Sequence, residues 1–204
     1  MFRPLKADEV NVRIDTINDK SAMLLLYKDA RCDMAVLDDT VGPMNWQRKH
    51  YECKGNLFCS VGIRGDDGEW VWKDDCGSEG NYEKAKSEAS DSFKRACTSW
   101  GIGRELYTAP VLKVKPEVVG AYINNKEKWA SNAHFDVVEY EVIRGVITKL
   151  SIKIGYWAVA DGQYKYFSSV QSFKCSPAPL DPKEIADTSK FSKDMPEGAS
   201  TNAL

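Results

Sequence analysis

Hydrophobic residues recur along the chain with two alternating periods, and each change of period marks a new element. Val10, Val12 and Ile14 alternate with polar residues, the period of two that a half-buried strand needs. Asn18-Asp19-Lys20 is turn-like. Met23 to Tyr27 then forms an almost continuous apolar run, which predicts a second, more fully buried strand and a hairpin. At Ala30 the period lengthens. Ala30, Met34, Leu37 and Val41 fit one face of a short helix that stops at Gly42-Pro43, where proline cannot continue it. Arg31 lies on a flank of this helix.

Strand character returns at Trp46. Three strands are predicted, about Trp46 to Cys53, Leu57 to Arg64 and Glu69 to Asp74. Lys54-Gly55-Asn56 and Gly65-Asp66-Asp67-Gly68 separate them, and both are hairpin signals, so the strands form an antiparallel meander. Gly62 inside a strand marks a bulge or a close packing contact.

The next stretch, 80–101, is the most strongly helical in the chain. Tyr82, Ala85, Ala89, Phe93, Ala96 and Trp100 make one apolar stripe, with Asn81 placed to cap the start and Gly101 to stop the end. Small residues in the stripe let a sheet approach closely. Lys84, Ser87, Lys94, Arg95 and Thr98 lie away from the stripe, and Lys94 sits roughly 120–140° from its centre. Asp91, four residues before Arg95, offers it an ordinary ion pair.

Residues 101–107 leave the helix as a glycine-hinged segment, and 116–130 read as irregular or as a short helix. Further strands are predicted at Val137 to Arg144, Val146 to Ile154, Tyr156 to Val159 and Tyr164 to Ser168, with Asp161-Gly162 as a turn. From residue 176 the chain is rich in Pro, Ser, Asp, Lys and Ala, the composition of a disordered tail. The fold class is therefore α+β, with a β-β-β-α core at about 44–101 inside one domain, 1–175, followed by an acidic tail, 176–204.

Composition narrows the function. The 204 residues are 43% hydrophobic, yet no apolar run approaches the ~20 residues of a membrane helix, and the first residues lack the apolar core of a signal peptide. Six cysteines are scattered without a C-x-x-C pair, which points to reduced thiols in a cytoplasmic protein. The net charge is −2, and residues 176–204, with three lysines against five acidic residues, carry all of it. Any basic surface on residues 1–175 is therefore local. Arg48, Lys49, Lys54 and Arg64 give the first two meander strands such a balance, opposed there by Glu52. They serve either as charged guards of a sheet edge or as phosphate contacts. Trp46, Trp70, Trp72 and Tyr51 have rings able to stack on bases. Trp70 and Trp72 share a strand face, however, and the long helix needs a surface beneath it, so these rings are assigned to the core.

Catalytic patterns are weak. His50 and His134 have no metal-site spacing, and Asp66, Asp67, Asp74, Asp75 and Glu79, most of them in turns, form at most a hypothetical nuclease cluster. Gly101-x-Gly103 lacks the third glycine and the preceding strand of a dinucleotide loop.

Gly77-Ser78-Glu79-Gly80, Glu83 to Ala89, and Asp91 to Ala96 followed by Ser99-Trp100-Gly101 resemble the Rad52-type single-strand annealing proteins, including phage-encoded members. Asn45-Trp46 and the Asp67-Gly68 hairpin fit as well, so the resemblance spans about residues 30–108. It implies a β-β-β-α core that assembles into homo-oligomeric rings or arcs, binds single-stranded DNA in a positive groove and anneals complementary strands without a nucleotide, metal or other cofactor. A phage-encoded chain would work in the host-cell cytoplasm, and the acidic tail is a candidate either to bind a host single-strand-binding protein or to shield the groove. The family's paired basic residues carry over to Lys94 and Arg95, and a further one to Arg31. Lys84, Arg48, Lys49, Lys54 and Arg64 complete the candidate DNA-binding set. Two departures stand out: Thr98 replaces a family arginine, and acidic Asp66 falls near a family lysine. A metal-dependent nuclease and a phage interaction or inhibitor protein without DNA activity are the other readings.

Overall fold

A computed structural model describes residues 2–80 and 83–179. After a short 3-10 turn at Ala7–Glu9 come β1 (Asn11–Ile17) and β2 (Ala22–Tyr27), which pair antiparallel. Next is α1 (Ala30–Val41), capped by the Asp29 side chain, which accepts from the N–H groups of Arg31 and Cys32. Gly42 follows α1, as the sequence predicts. The meander is β3 (Trp46–Cys53), β4 (Asn56–Arg64) and β5 (Trp70–Cys76), in sheet order β3-β4-β5. It leads into α2 (Lys84–Trp100).

The C-terminal half adds β6 (Lys113–Val114) beside β2, a two-stranded ribbon of β7 (Tyr122–Ile123) and β8 (Trp129–Ala130), and a sheet of three long strands. These are β9 (His134–Ile143), β10 (Val146–Ala160) and β11 (Gln163–Ser172), in order β11-β10-β9. Residues 104–108 and 116–119 are 3-10 turns. The architecture is mixed α+β with antiparallel sheets. One hydrophobic core joins its parts, taking in Leu24 and Leu26 of β2, Val36 and Leu37 of α1, Val61 of β4, Phe93 and Ala96 of α2, and Ile147, Ile152 and Ile154 of β10.

Three expectations need correction. β2 is not buried on both faces: Ala22, Leu24 and Leu26 point inward while Leu25 and Tyr27 are exposed. The strands predicted at 146–154 and 156–159 are one strand, because β10 runs unbroken through Gly155 with the Tyr166 hydroxyl lying over that glycine. α2 begins at Lys84, with Glu83 in a left-handed conformation at its cap position, and the expected cap Asn81 lies outside the described residues. At the other end Gly101, at φ 105°, adopts the left-handed conformation that ends helices, and its N–H reaches back to Cys97 and Thr98. The acidic tail lies, from residue 180 on, outside the described residues.

α2 packs across one face of the meander. Trp46 stacks on Phe93 with ring centroids 6.1 Å apart, the Trp100 indole N–H donates to the Val61 carbonyl at 2.9 Å, and the Leu57 N–H donates to the Glu88 carboxylate at 3.0 Å. The apolar stripe of α2 buries most firmly in its second half, at Phe93, Ala96 and Cys97, while Ala85 in the first turn is exposed.

Candidate nucleic-acid interface

Two side chains fix α2 against α1. Lys28, just before α1, is 6% exposed, and Asp33, on the inner face of α1, is fully buried. The Lys28 ammonium donates to Asp33 Oδ1 and to the Lys94 carbonyl, the latter at 3.2 Å. Burial pushes the Asp33 carboxyl up to about 6, although Lys28 opposes the shift. A buried cation thus ties the start of α1 to the middle of α2, and so sets where Lys94 stands.

Along α2, Ser87, Asp91, Lys94, Arg95 and Thr98 recur at helical spacing and face the β1–β2 hairpin. Between them lies a groove of about 660 Å³, lined also by Arg13, Tyr27 and Tyr107. Lys94 and Arg13 have no ion-pair partner among the described residues, whereas Arg95 pairs with Asp75 at 3.2 Å. That pair is partly exposed, and such pairs contribute at most about 1 kcal/mol, so a phosphate can displace the carboxylate at little cost. Asp91, the acidic residue of the groove wall, accepts from the Ser78 N–H and hydroxyl at 3.1 and 3.2 Å. The expected Asp91–Arg95 pair is replaced by these two separate arrangements. Thr98 donates its hydroxyl to the Lys94 carbonyl at 3.0 Å, and the Thr98 carbonyl accepts from Arg104. Arg104 thus caps the last carbonyls of α2, at Thr98 and Ser99, and is not among the residues lining the groove.

The other candidates stand elsewhere. Arg31 and Arg48 line a second recess of about 440 Å³ with His50 and Lys86, between α1, β3 and α2. Arg48 lies over the Phe93 ring at 4.7 Å, and His50 Nε2 meets the Ala89 carbonyl at 3.1 Å. Lys84 opens α2 and pairs with Glu79 at 2.8 Å, a hydrogen bond that raises its pKa. Lys54 occupies the β3–β4 turn, with φ 52°. Lys49 and Arg64 project from the meander face opposite α2, where Lys49 lies 4.2 Å from the Trp72 ring and Arg64 Nε donates to the Gly68 carbonyl at 3.3 Å. The eight predicted residues thus occupy several separate places. Only Lys94 and Arg95 share the groove, which Arg13 completes. Arg13 and Arg104 were not singled out from the sequence. Arg13 sits on the polar side of an alternating strand, a pattern that marks it as exposed but says nothing of what it faces.

The aromatic assignment also changes. Trp46 does pack under α2, but Trp70, Trp72 and Tyr51 lie on the opposite face, with Trp70 and Trp72 centroids 6.0 Å apart. Among the described residues no three His, Cys, Asp or Glu side chains converge to hold a metal ion. Asp74 accepts from the Tyr51 and Ser60 hydroxyls, and Asp75 from Arg95 and the Cys76 N–H. The cysteines are free thiols, and no helix among the described residues is long and apolar enough to cross a membrane.

No family model, curated protein or solved structure matches this chain.

Proposed function

We propose that the protein binds single-stranded DNA through its phosphates in the α2 groove and anneals complementary strands as a homo-oligomer, without nucleotide or metal. The observation that carries this reading is the convergence of Arg13, Lys94 and Arg95 from β1 and α2 on one open groove walled by Tyr27 and Tyr107. The resemblance of residues 30–108 to Rad52-type annealing proteins agrees with it.

The physical logic is neutralisation followed by alignment. Two polyanionic strands repel each other, and a row of cations lowers that repulsion. Lys94 contributes an unpaired ammonium, Arg13 an unpaired guanidinium, and Arg95 a planar fork suited to a bidentate phosphate contact. Contacts to phosphate leave the Watson–Crick edges free for pairing. A neutral domain has few cations to offer, so repetition around an assembly must multiply weak contacts.

Support for self-assembly comes from the β10–β11 hairpin. Nearly all of β11 is exposed, and Trp157, Val159, Tyr164, Tyr166, Phe167 and Val170 present 37–75% of their surface to solvent. A long, exposed edge strand that carries aromatic residues and no proline is a template for pairing with another chain.

The test is charge reversal, Lys94→Glu with Arg95→Glu, with the mass of the assembly measured alongside. Normal assembly with single-strand affinity reduced by at least two orders of magnitude is the expected outcome. Unchanged affinity and annealing with normal assembly would refute the site.

A further inference from the structure

The meander has two faces, and both helices lie on one of them. Trp46, Arg48 and His50 of β3 meet α1 and α2, as do Val61 of β4 and Lys73 and Asp75 of β5. The register places Lys49, Tyr51, Phe58, Ser60, Gly62, Arg64, Trp70, Trp72 and Asp74 together on the other face. Four aromatic rings thus share a surface turned away from the helices. Tyr51 and Phe58 stack with centroids 5.6 Å apart and planes 21° from parallel, beside the Trp70–Trp72 pair.

Trp72 is the most constrained of these rings. It lies over Gly62, where an added Cβ would come within 2.8 Å of two of its ring carbons. No side chain separates indole from backbone, so the ring rests flat on β4 with its other side outward. That explains a glycine in the middle of a central strand. The Lys49 ammonium covers the outward side at 4.2 Å. Neither Lys49 nor Arg64 has a carboxylate ion-pair partner among the described residues. Asp74, the acidic side chain of this face, is held by two hydroxyls, those of Tyr51 and Ser60.

We infer that this face is a base-stacking platform for single-stranded nucleic acid, with Trp72 as the central ring and Lys49 and Arg64 as its phosphate contacts. Flat rings flanked by unpaired cations match a ligand that carries a π-face and a negative charge on every unit. Lys49 occupies the place a base would take. On binding, the base replaces the ammonium over the indole, and the flexible lysine stem carries the charge to the neighbouring phosphate. The Tyr51–Phe58 pair extends the stack by a second position. This inference rests on the single-strand reading above and adds a site that recognises bases, where the α2 groove recognises phosphates.

The experiment compares oligo-dT with an abasic oligonucleotide of the same length, for the wild-type protein and for Trp72→Leu. Stacking contributes about tenfold in affinity per base. The wild type should therefore prefer oligo-dT by about tenfold or more, and Trp72→Leu should erase the preference while keeping the abasic affinity and its salt dependence. Tyr51→Leu, at a 41% exposed position, should shrink the preference without touching the meander core. Equal wild-type binding of the two oligonucleotides would overturn the platform and leave the phosphate groove standing. Binding of neither would overturn both. Loss of assembly mass in Trp72→Leu or Tyr51→Leu, with the base preference retained, would assign the face to subunit contact and overturn the inference.

Discussion

Replacing Lys28 by methionine probes the contact that positions the candidate groove. Methionine fills a similar volume and removes the charge. Asp33, fully buried, then loses its cation, and one of its oxygens already lacks a hydrogen-bond partner. Removing one member of a buried pair costs about 3–5 kcal/mol, because the remaining charge is left unsolvated. That is a large part of the roughly 5–15 kcal/mol that holds a domain together. Lys28→Met with Asp33→Leu removes both charges, and such double replacements are often neutral or stabilising. The pH dependence has a definite sign. In the native protein burial raises the Asp33 carboxyl from 3.8 to about 6, so between those values the folded state binds more protons than the unfolded state. Stability from this group is fully present below 3.8 and is lost as pH rises through about 6. Without Lys28 the native carboxyl rises further, so the penalty is largest at alkaline pH and shrinks on acidification. Urea unfolding followed by tryptophan fluorescence at about pH 5 and about pH 8 measures both effects. A single variant as stable as the wild type, or a penalty that grows on acidification, would refute the reasoning.

The remaining predictions concern assembly and salt. Tyr164→Ser with Tyr166→Ser, on the exposed hairpin, should lower the mass of the assembly while leaving circular dichroism unchanged; an unaltered mass would place the subunit contact elsewhere. The three groove cations Arg13, Lys94 and Arg95 alone would give a log–log salt slope of about −2 for each engaged protomer, roughly a 20-fold loss of affinity from about 50 to about 200 mM salt, and any further phosphate contact steepens it. A flat titration would contradict phosphate-led binding.

The meander and α2 were legible because the local signals agree. Lys54-Gly55 and Asp67-Gly68 fix two turns, and the stripe through Phe93, Ala96 and Trp100 fixes a helix. Two-faced strands were less legible. Period two says that Trp70 and Trp72 share a face, but which face the helix covers is a tertiary choice, and α2 took the side of Trp46, Val61 and Lys73. The apolar run at Met23–Tyr27 likewise hid an exposed side, since Leu25 and Tyr27 line the groove. Arg13 and Lys94 line one groove although 81 positions separate them in sequence, a juxtaposition no local window contains. Gly155 suggested a break, yet Tyr166 from the neighbouring strand covers it and the strand continues.

In the proposed function, cations repeated by self-assembly bring complementary strands together. Its most direct measurement is the rate at which two labelled complementary oligonucleotides pair in the presence of the pure protein, without ATP or divalent metal, with particle mass recorded in the same buffer. A multi-subunit particle and pairing well above the spontaneous rate, suppressed by high salt, are the expected results. A monomer that leaves the spontaneous rate unchanged would contradict the proposed function.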